Sequence, residues 1–375
     1  MLSFSRGGGL FACIKEVCRL ARQLRVIIDR IENKGDELMQ VKILGRADLE
    51  KVLEMPKVIE GVEAVYKLKA DGKTVVWPLV SYDFEEAKAV MDIRSGCIFG
   101  ENLHGLKMLN NFPLNKEKGL PPFNGMLMIF DSATGIPLGV MDAAYITCMR
   151  TGAAGAVGAK ALARPDSKTL FVLGAGKQAI YQIAASLILF PGLTKVYIAD
   201  PLDSDHAVHF AKECKNTLKA GFGLNCHSTV FEAAADMAEC VGKSDIVITI
   251  TPARKPVIKK EWVKPGTHFS CIGADMEGKE EIDPEIFAGA RIFADDKPQC
   301  IRVGELELAI KSAAITAADV AGELGEVLSG KINGRICDDD ITIFDATGLA
   351  LLDLITGKKA IDLSKEKQLG TAADI

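Results

Sequence analysis

One stretch constrains the fold more than any other: KTLFVLGAGKQAIYQIAASLIL, residues 168–189. Leu170, Phe171, Val172 and Leu173 form a short apolar run, the pattern of a strand buried on both faces. Gly174, Gly176 and Ala179 follow at once, and an apolar pattern of helical period begins behind them. Gly174 lets the chain turn sharply, Gly176 removes the side chain that would block a pyrophosphate, and Ala179 lets the helix lie close to the strand. The helix then turns its free amides and positive dipole end toward phosphate. A second apolar run, KVYIAD, ends at Asp200, about twenty residues farther on, where an acid accepts hydrogen bonds from an adenosine ribose. The stretch predicts a dinucleotide site. Asp200 would repel a 2′-phosphate, and Pro201-Leu202 brings no arginine to neutralise it, so NAD is favoured over NADP.

The chain has 375 residues, enough for two domains with separate cores. Its formal net charge of −5, with no basic run or aromatic-basic stripe, argues against a nucleic-acid surface. Its ten cysteines are scattered without a C-x-x-C pair or a histidine cluster, so no zinc site is expected. Thiols such as Cys148 and Cys271 in apolar runs fit a reducing cytoplasm. His206 and His209, behind Asp200, read as exposed helix positions and not as ligands.

Residues 1–40 differ in character from the rest of the chain. A basic amphipathic segment carries Arg19, Arg22, Arg25 and Arg30 among apolar residues, too interrupted by charge for a signal peptide or membrane span. Lys34-Gly35-Asp36-Glu37-Leu38 can be encoded by a ribosome-binding sequence spaced correctly before Met39. We expect Met39 to be the native start, which N-terminal sequencing of the natively expressed protein tests.

From Val41 the chain reads as a folded unit. Asp48 is expected to cap a helix whose apolar period continues through Leu68, and Asp71-Gly72 turns into a strand at Thr74. Short alternating strands follow through residue 115, then two strands about a turn at residues 131–135. This half is expected to be α+β with a mainly antiparallel sheet. YITCMRTGAAGAVGAKALA, residues 145–163, is a helix dense in small residues, with Arg150 and Thr151 as polar exceptions. Behind the glycine loop, strands and helices alternate. Thr251, Asp275 and Asp295 fall at strand ends, which face the ligand crevice of an open α/β sheet. The polar last ten or so residues are expected to fray.

Six motifs in order then identify the chain as similar to the ornithine cyclodeaminase/mu-crystallin family: GLKMLNNFPLN, LMIFDSATGIPLGVMDAAYITCMRTGAA, LFVLGAGKQA, SDIVITITPA, GTHFSCIGADMEGKEEID and ITIFDATGLALLDL. The resemblance implies a cytoplasmic α/β homodimer. Each subunit would have a Rossmann NAD(P)-binding domain at 153–344 and an α+β substrate and dimerisation domain at 41–152 plus 345–370. It implies that Lys107 binds a substrate carboxylate and that Arg150 and Thr151 contact cofactor and substrate. By the same resemblance Gly174, Gly176, Lys177 and Gln178 hold the pyrophosphate, with Asp200 on the ribose. Thr251, the Ile272-Gly273-Ala274 backbone, Lys279 and Thr347 lie by the nicotinamide, and Asp275 is the general acid/base. A partly desolvated Asp275 would have a raised pKa. Members active on amino acids carry an arginine shortly after a proline, before the Lys107 position; here that segment reads WPLVSYDF, and Arg94 is the one arginine that can take its place. Pro122 stands where a polar cofactor contact is usual.

The activity this implies is NAD-dependent chemistry on an α-amino acid or its imine. In a cyclodeaminase, hydride leaves Cα, the side-chain amine closes on the imine, ammonia departs and the hydride returns. An amino-acid dehydrogenase or ketimine reductase keeps the net redox step. An amine-oxidase-associated subunit and a non-catalytic NAD-binding protein are the remaining readings. No metal, nucleic-acid or membrane partner is expected.

Overall fold

A computed structural model describes residues 40–374. The basic amphipathic segment and the Met39 start therefore lie outside the described residues. Two eight-stranded sheets organise the chain.

The first sheet runs, in spatial order, Thr371–Asp374, Gln40–Leu44, Pro137–Asp142, Phe123–Asp131, Leu103–Asn111, Ala89–Ile98 and Thr74–Val76, with Val80–Phe84 also paired to Ala89–Ile98. All pairings are antiparallel except that of Gln40–Leu44 with Pro137–Asp142. The strand Thr371–Asp374 corrects the expectation of a frayed end. Gly370, at φ +78°, turns the chain back so that this strand pairs with the backbone of Gln40–Leu44. Those main-chain groups would otherwise form an open edge. The expected short strands before residue 115 are instead one long hairpin, Ala89–Ile98 with Leu103–Asn111.

The register of that hairpin sets Arg94 opposite Lys107 and Gly96 opposite Gly105, so all four share a face. Helix Ala350–Glu366 lies on it: a Cβ on Gly105 would stand 2.8 Å from Leu354, and one on Gly96 3.2 Å from Leu351. Small residues here let the helix come close enough to bury Lys107, while Arg94 stays half-buried. Asp48 is not a helix cap. It occupies the third position of helix Arg46–Val52, where its carboxylate accepts from the Gly45 amide at 3.1 Å. The expected single helix is two, because the chain extends at Leu53 and Glu54 before Pro56 opens helix Met55–Ala70.

The second sheet is wholly parallel, in the order Val230–Ala233, Lys195–Ala199, Thr169–Leu173, Ile246–Thr249, His268–Cys271, Thr342–Asp345, Arg291–Ala294 and Val320–Glu323. The strand order reverses between Thr169–Leu173 and Ile246–Thr249, which opens a crevice at their carboxyl ends. Helix Ala143–Leu162, capped by Asp142 on the Tyr145 amide at 2.7 Å, joins the two sheets. Its small residues do meet close neighbours: a Cβ on Gly158 would fall 2.2 Å from the Phe344 ring. No described helix is long and apolar enough to cross a membrane. The first sheet leaves Val80, Tyr82 and Met126 more than half exposed (54%, 59% and 56%).

Candidate active site

A cleft of about 400 Å³ opens between the carboxyl ends of the parallel strands and the hairpin of the first sheet. Ten residues singled out in the sequence meet on its walls: Arg94, Arg150, Thr151, Gln178, Thr251, Ile272, Gly273, Asp275, Lys279 and Thr347. Ala274 is fully buried behind them. Strand ends supply Thr251 and the 272–275 loop, and the second turn of helix Ala143–Leu162 supplies Arg150 and Thr151.

The glycine loop sits at the switch in strand order. Gly174 takes φ +112°, a conformation closed to most side chains, and a Cβ there would press 3.0 Å from the Ile250 carbonyl. Nothing lies within 4 Å of where a Cβ on Gly176 would be, so the loop leaves open space before the helix Ala179–Leu189. That space fits a pyrophosphate. Gly176 and Lys177 also open on a cavity of about 470 Å³ that holds Arg46, His206 and His209. Asp200 lies outside the cleft. Its Oδ1 accepts from the Leu202 amide at 3.1 Å, and its Oδ2 is 2.8 Å from His206 Nδ1. His206 is thus the partner of the expected ribose acid, a relation that sequence reasoning missed.

The inner end of the cleft is built from cations. Lys107 is fully buried, with its ammonium 2.6 Å from Asp353 and 3.2 Å from the Thr147 hydroxyl. It lies behind the residues that line the cleft. The hairpin points it inward, beneath helix Ala350–Glu366, and Asp353 of that helix takes its charge. Arg150 Nε donates to the other oxygen of Asp353 at 3.0 Å. Arg94 Nη1 donates to the Thr347 and Gly348 carbonyls, each at 3.1 Å. Among the described residues, the remaining guanidinium nitrogens of Arg94 and Arg150 have no protein acceptor. Burial, reinforced by the charges of Arg150 and Arg94 against the pull of Asp353, lowers Lys107 to about 7. Burial opposes ionisation of Asp353, but the charges of Arg150 and Lys107 outweigh it and hold the carboxyl below its usual range. Asp353 was missed in the sequence, although it is the one acid within the apolar run LALLDLI.

Asp275 stands at the mouth, 41% exposed in its side chain, with Lys279 Nζ at 2.5 Å. Asp275 is half-buried, as expected of a partly desolvated acid at this strand end. Lys279 also donates to the Gly273 carbonyl at 3.3 Å. Thr347 is set by Asp295, a fully buried strand-end acid. One Asp295 oxygen accepts from the Thr347 hydroxyl at 3.3 Å and the other from the Gly348 amide at 2.8 Å. Gln299, also missed, donates to the Thr347 hydroxyl at 2.8 Å.

The whole described chain has known relatives. The chain is 36% identical over 334 residues to an alanine dehydrogenase of Archaeoglobus fulgidus, covering 89% of this chain and 98% of that one. It superposes on an archaeal alanine dehydrogenase dimer with bound NAD at a TM-score of 0.80 and 36% identity, over 89% of this chain and 99% of that one. A Thermococcus litoralis Δ1-pyrroline-2-carboxylate reductase in complex with NADH and L-proline gives a TM-score of 0.81 at 31% identity, over 88% and 99%. The sequence profile of one family matches residues 39–368, nearly all of the described chain, and the protein belongs to that family, the ornithine cyclodeaminase/mu-crystallin family.

Proposed function

We propose that this protein is a homodimeric, NAD(H)-dependent enzyme that exchanges hydride at Cα of an α-amino acid or the matching α-imino acid. The charge at the inner end of the cleft carries the reading. Arg94, Arg150 and Lys107 surround a single acid, Asp353, and this positive surplus suits a substrate carboxylate. NAD supplies the hydride acceptor and NADH the donor.

The free guanidinium donors of Arg150 and Arg94 hold the carboxylate, while Lys107 adds its charge from behind Thr147. Asp275 takes a proton from the substrate amine as it becomes an imine and returns it in the reverse direction. Lys279 orients that carboxylate. Asp295 and Gln299 fix the Thr347-Gly348 turn, whose carbonyls hold Arg94 in place. The alanine dehydrogenase and pyrroline-carboxylate reductase relatives support a net redox reaction. The cyclodeaminase cycle is the second reading. Its support is Asp92, which lines the cleft, bonds the Ser81 hydroxyl at 2.7 Å and would face a distal substrate ammonium. The exposed apolar side chains of the first sheet and the dimeric alanine dehydrogenase support the homodimer.

The test follows NADH absorbance and ammonia together. The protein is mixed with NAD and L-alanine, ornithine, lysine or tyramine, and separately with NADH, ammonium and 2-oxo acids. Ammonia with matching NADH, or NADH consumed by an oxo or imino acid, is the expected result. Ammonia without NADH build-up selects the cyclodeaminase cycle. Turnover of tyramine alone would overturn the carboxylate site.

A further inference from the structure

We propose that Glu281 is a positioning residue whose single buried carboxylate clamps together the two strand-end loops that form one wall of the cleft. The inference rests on reading that cleft as the dinucleotide site. Glu281 is fully buried and lies in the short strand Glu280–Ile282, outside both large sheets. Its Oε1 accepts from the Thr251 amide at 2.5 Å and from the Thr251 hydroxyl at 2.8 Å. Its Oε2 accepts from the Gly273 amide at 3.0 Å. Thr251 follows strand Ile246–Thr249 and Gly273 follows strand His268–Cys271, so one side chain spans two adjacent strand ends. Both residues line the cleft. Three donors converge on one carboxyl, an arrangement that only the ionised form satisfies in full.

A closed shell of other groups surrounds that charge. The Glu281 amide donates to Glu305 Oε1 at 2.6 Å, and Asp345 Oδ2 accepts from the Leu306 amide at 3.1 Å. Glu305 Oε2 and Asp345 Oδ1 are buried without a partner, which disfavours a negative charge on either acid. Cys271 faces the same three acids, Cys300 and Asp295 face Asp345, and Lys279 approaches only as far as the Gly273 carbonyl. Among the described residues none of the three acids is ion-paired, and no three acids are placed to hold a metal ion. The shell therefore keeps one charge, on the acid with the most donors, while its neighbours stay neutral. Burial raises Glu281 to about 7 against the pull of the Thr251 and Gly273 bonds. Acidification then protonates it and weakens the clamp.

The experiment titrates NADH by fluorescence against wild type, Glu281→Gln, Glu281→Asp and Glu305→Gln, from about pH 6 to about pH 8. Amide exchange at Thr251 and Gly273 is read in the same proteins without cofactor. Wild type should bind NADH more weakly on acidification. Glu281→Gln should bind about tenfold more weakly at neutral pH, lose that pH dependence, and exchange both amides faster. Glu281→Asp should recover part of the affinity, and Glu305→Gln, which replaces a neutral neighbour, should keep the pH dependence of wild type. Glu281→Gln that binds NADH and protects both amides like wild type would overturn the clamp. If that variant does not fold, wild-type Thr251 and Gly273 amides whose protection does not fall on acidification overturn it instead. Wild type that binds no NADH sinks the dinucleotide reading alone, since amide exchange still decides the clamp.

Discussion

The two charged regions beside the cleft are built on opposite plans. At its inner end, long cations from the antiparallel hairpin and the connecting helix surround one acid, and two guanidiniums keep donors free. Behind the other wall, buried acids from a short strand, a helix start and two strand ends surround no cation among the described residues, and their donors are amides, a hydroxyl and a thiol. The first region is incomplete until an anion arrives. The second is complete without one. Burial thus makes a binding site in one place and a brace in the other, depending on whether the charge left over faces the cleft.

The contrast is broken most severely at Asp275, the acid facing the cations across the cleft. Asp275→Asn should cost turnover about 10²–10⁴-fold while leaving NADH affinity close to wild type; equal activity would end its role. Next comes Asp353, the acid that Lys107 and Arg150 share. Asp353→Asn should destabilise the fold by about 3–5 kcal/mol, because it leaves buried Lys107 and Arg150 uncompensated. Urea unfolding measures this, and replacing Lys107 by Met in the same chain should recover much of the loss. Full stability in the single variant would show that the three charges do not act as a unit.

The dependence of stability on pH should carry opposite signs in the two regions. Burial raises Asp345 to about 8, so the native state holds its proton more tightly than the unfolded chain. Its contribution is complete below the unfolded value of about 3.9 and is lost as pH rises through the folded value. Lys107, lowered to about 7, behaves in the reverse way: the unfolded chain holds the proton more tightly up to about pH 10, so stability rises with pH across that window. Relative to wild type, the slope of the urea midpoint against pH from about pH 6 to about pH 9 should become more positive in Asp345→Asn and more negative in Lys107→Met. Shifts of one sign in both variants would erase the contrast. The smallest effect is far from both regions. Ending the chain at Gly370 removes strand Thr371–Asp374 and should cost on the order of 1 kcal/mol with turnover unchanged.

The walls of the cleft were legible because they depend on local patterns. An apolar run that stops at Thr251, or one broken by a glycine turn at Thr347, marks a strand end, and strand ends of one parallel sheet must converge. Arg150 and Thr151 stood out as polar residues in a helix otherwise built from small ones. The partners were harder. Lys107 and Asp353 are far apart in sequence and meet only because Gly96 and Gly105 let a helix settle on the hairpin. His206 is the exposed helix residue the sequence suggested, but its contact with Asp200 exists only once the turn after that acid has formed. Strand Thr371–Asp374 uses backbone groups alone, so its side chains gave no sign of it.

By itself the sequence determined the parallel sheet with its glycine loop, the mainly antiparallel sheet beside it, and the set of polar residues at strand and helix ends. Spacing and side-chain size are enough for that, since they act within a turn or a strand. Tertiary structure alone decided which charges are paired and which stay open: Lys107 and Arg150 share Asp353, Asp275 pairs with Lys279 beside the cleft, and Glu281 is drawn in to join two loops. Electrostatic energy depends on burial and on separations of a few ångströms, and neither exists until distant segments of the chain have come together.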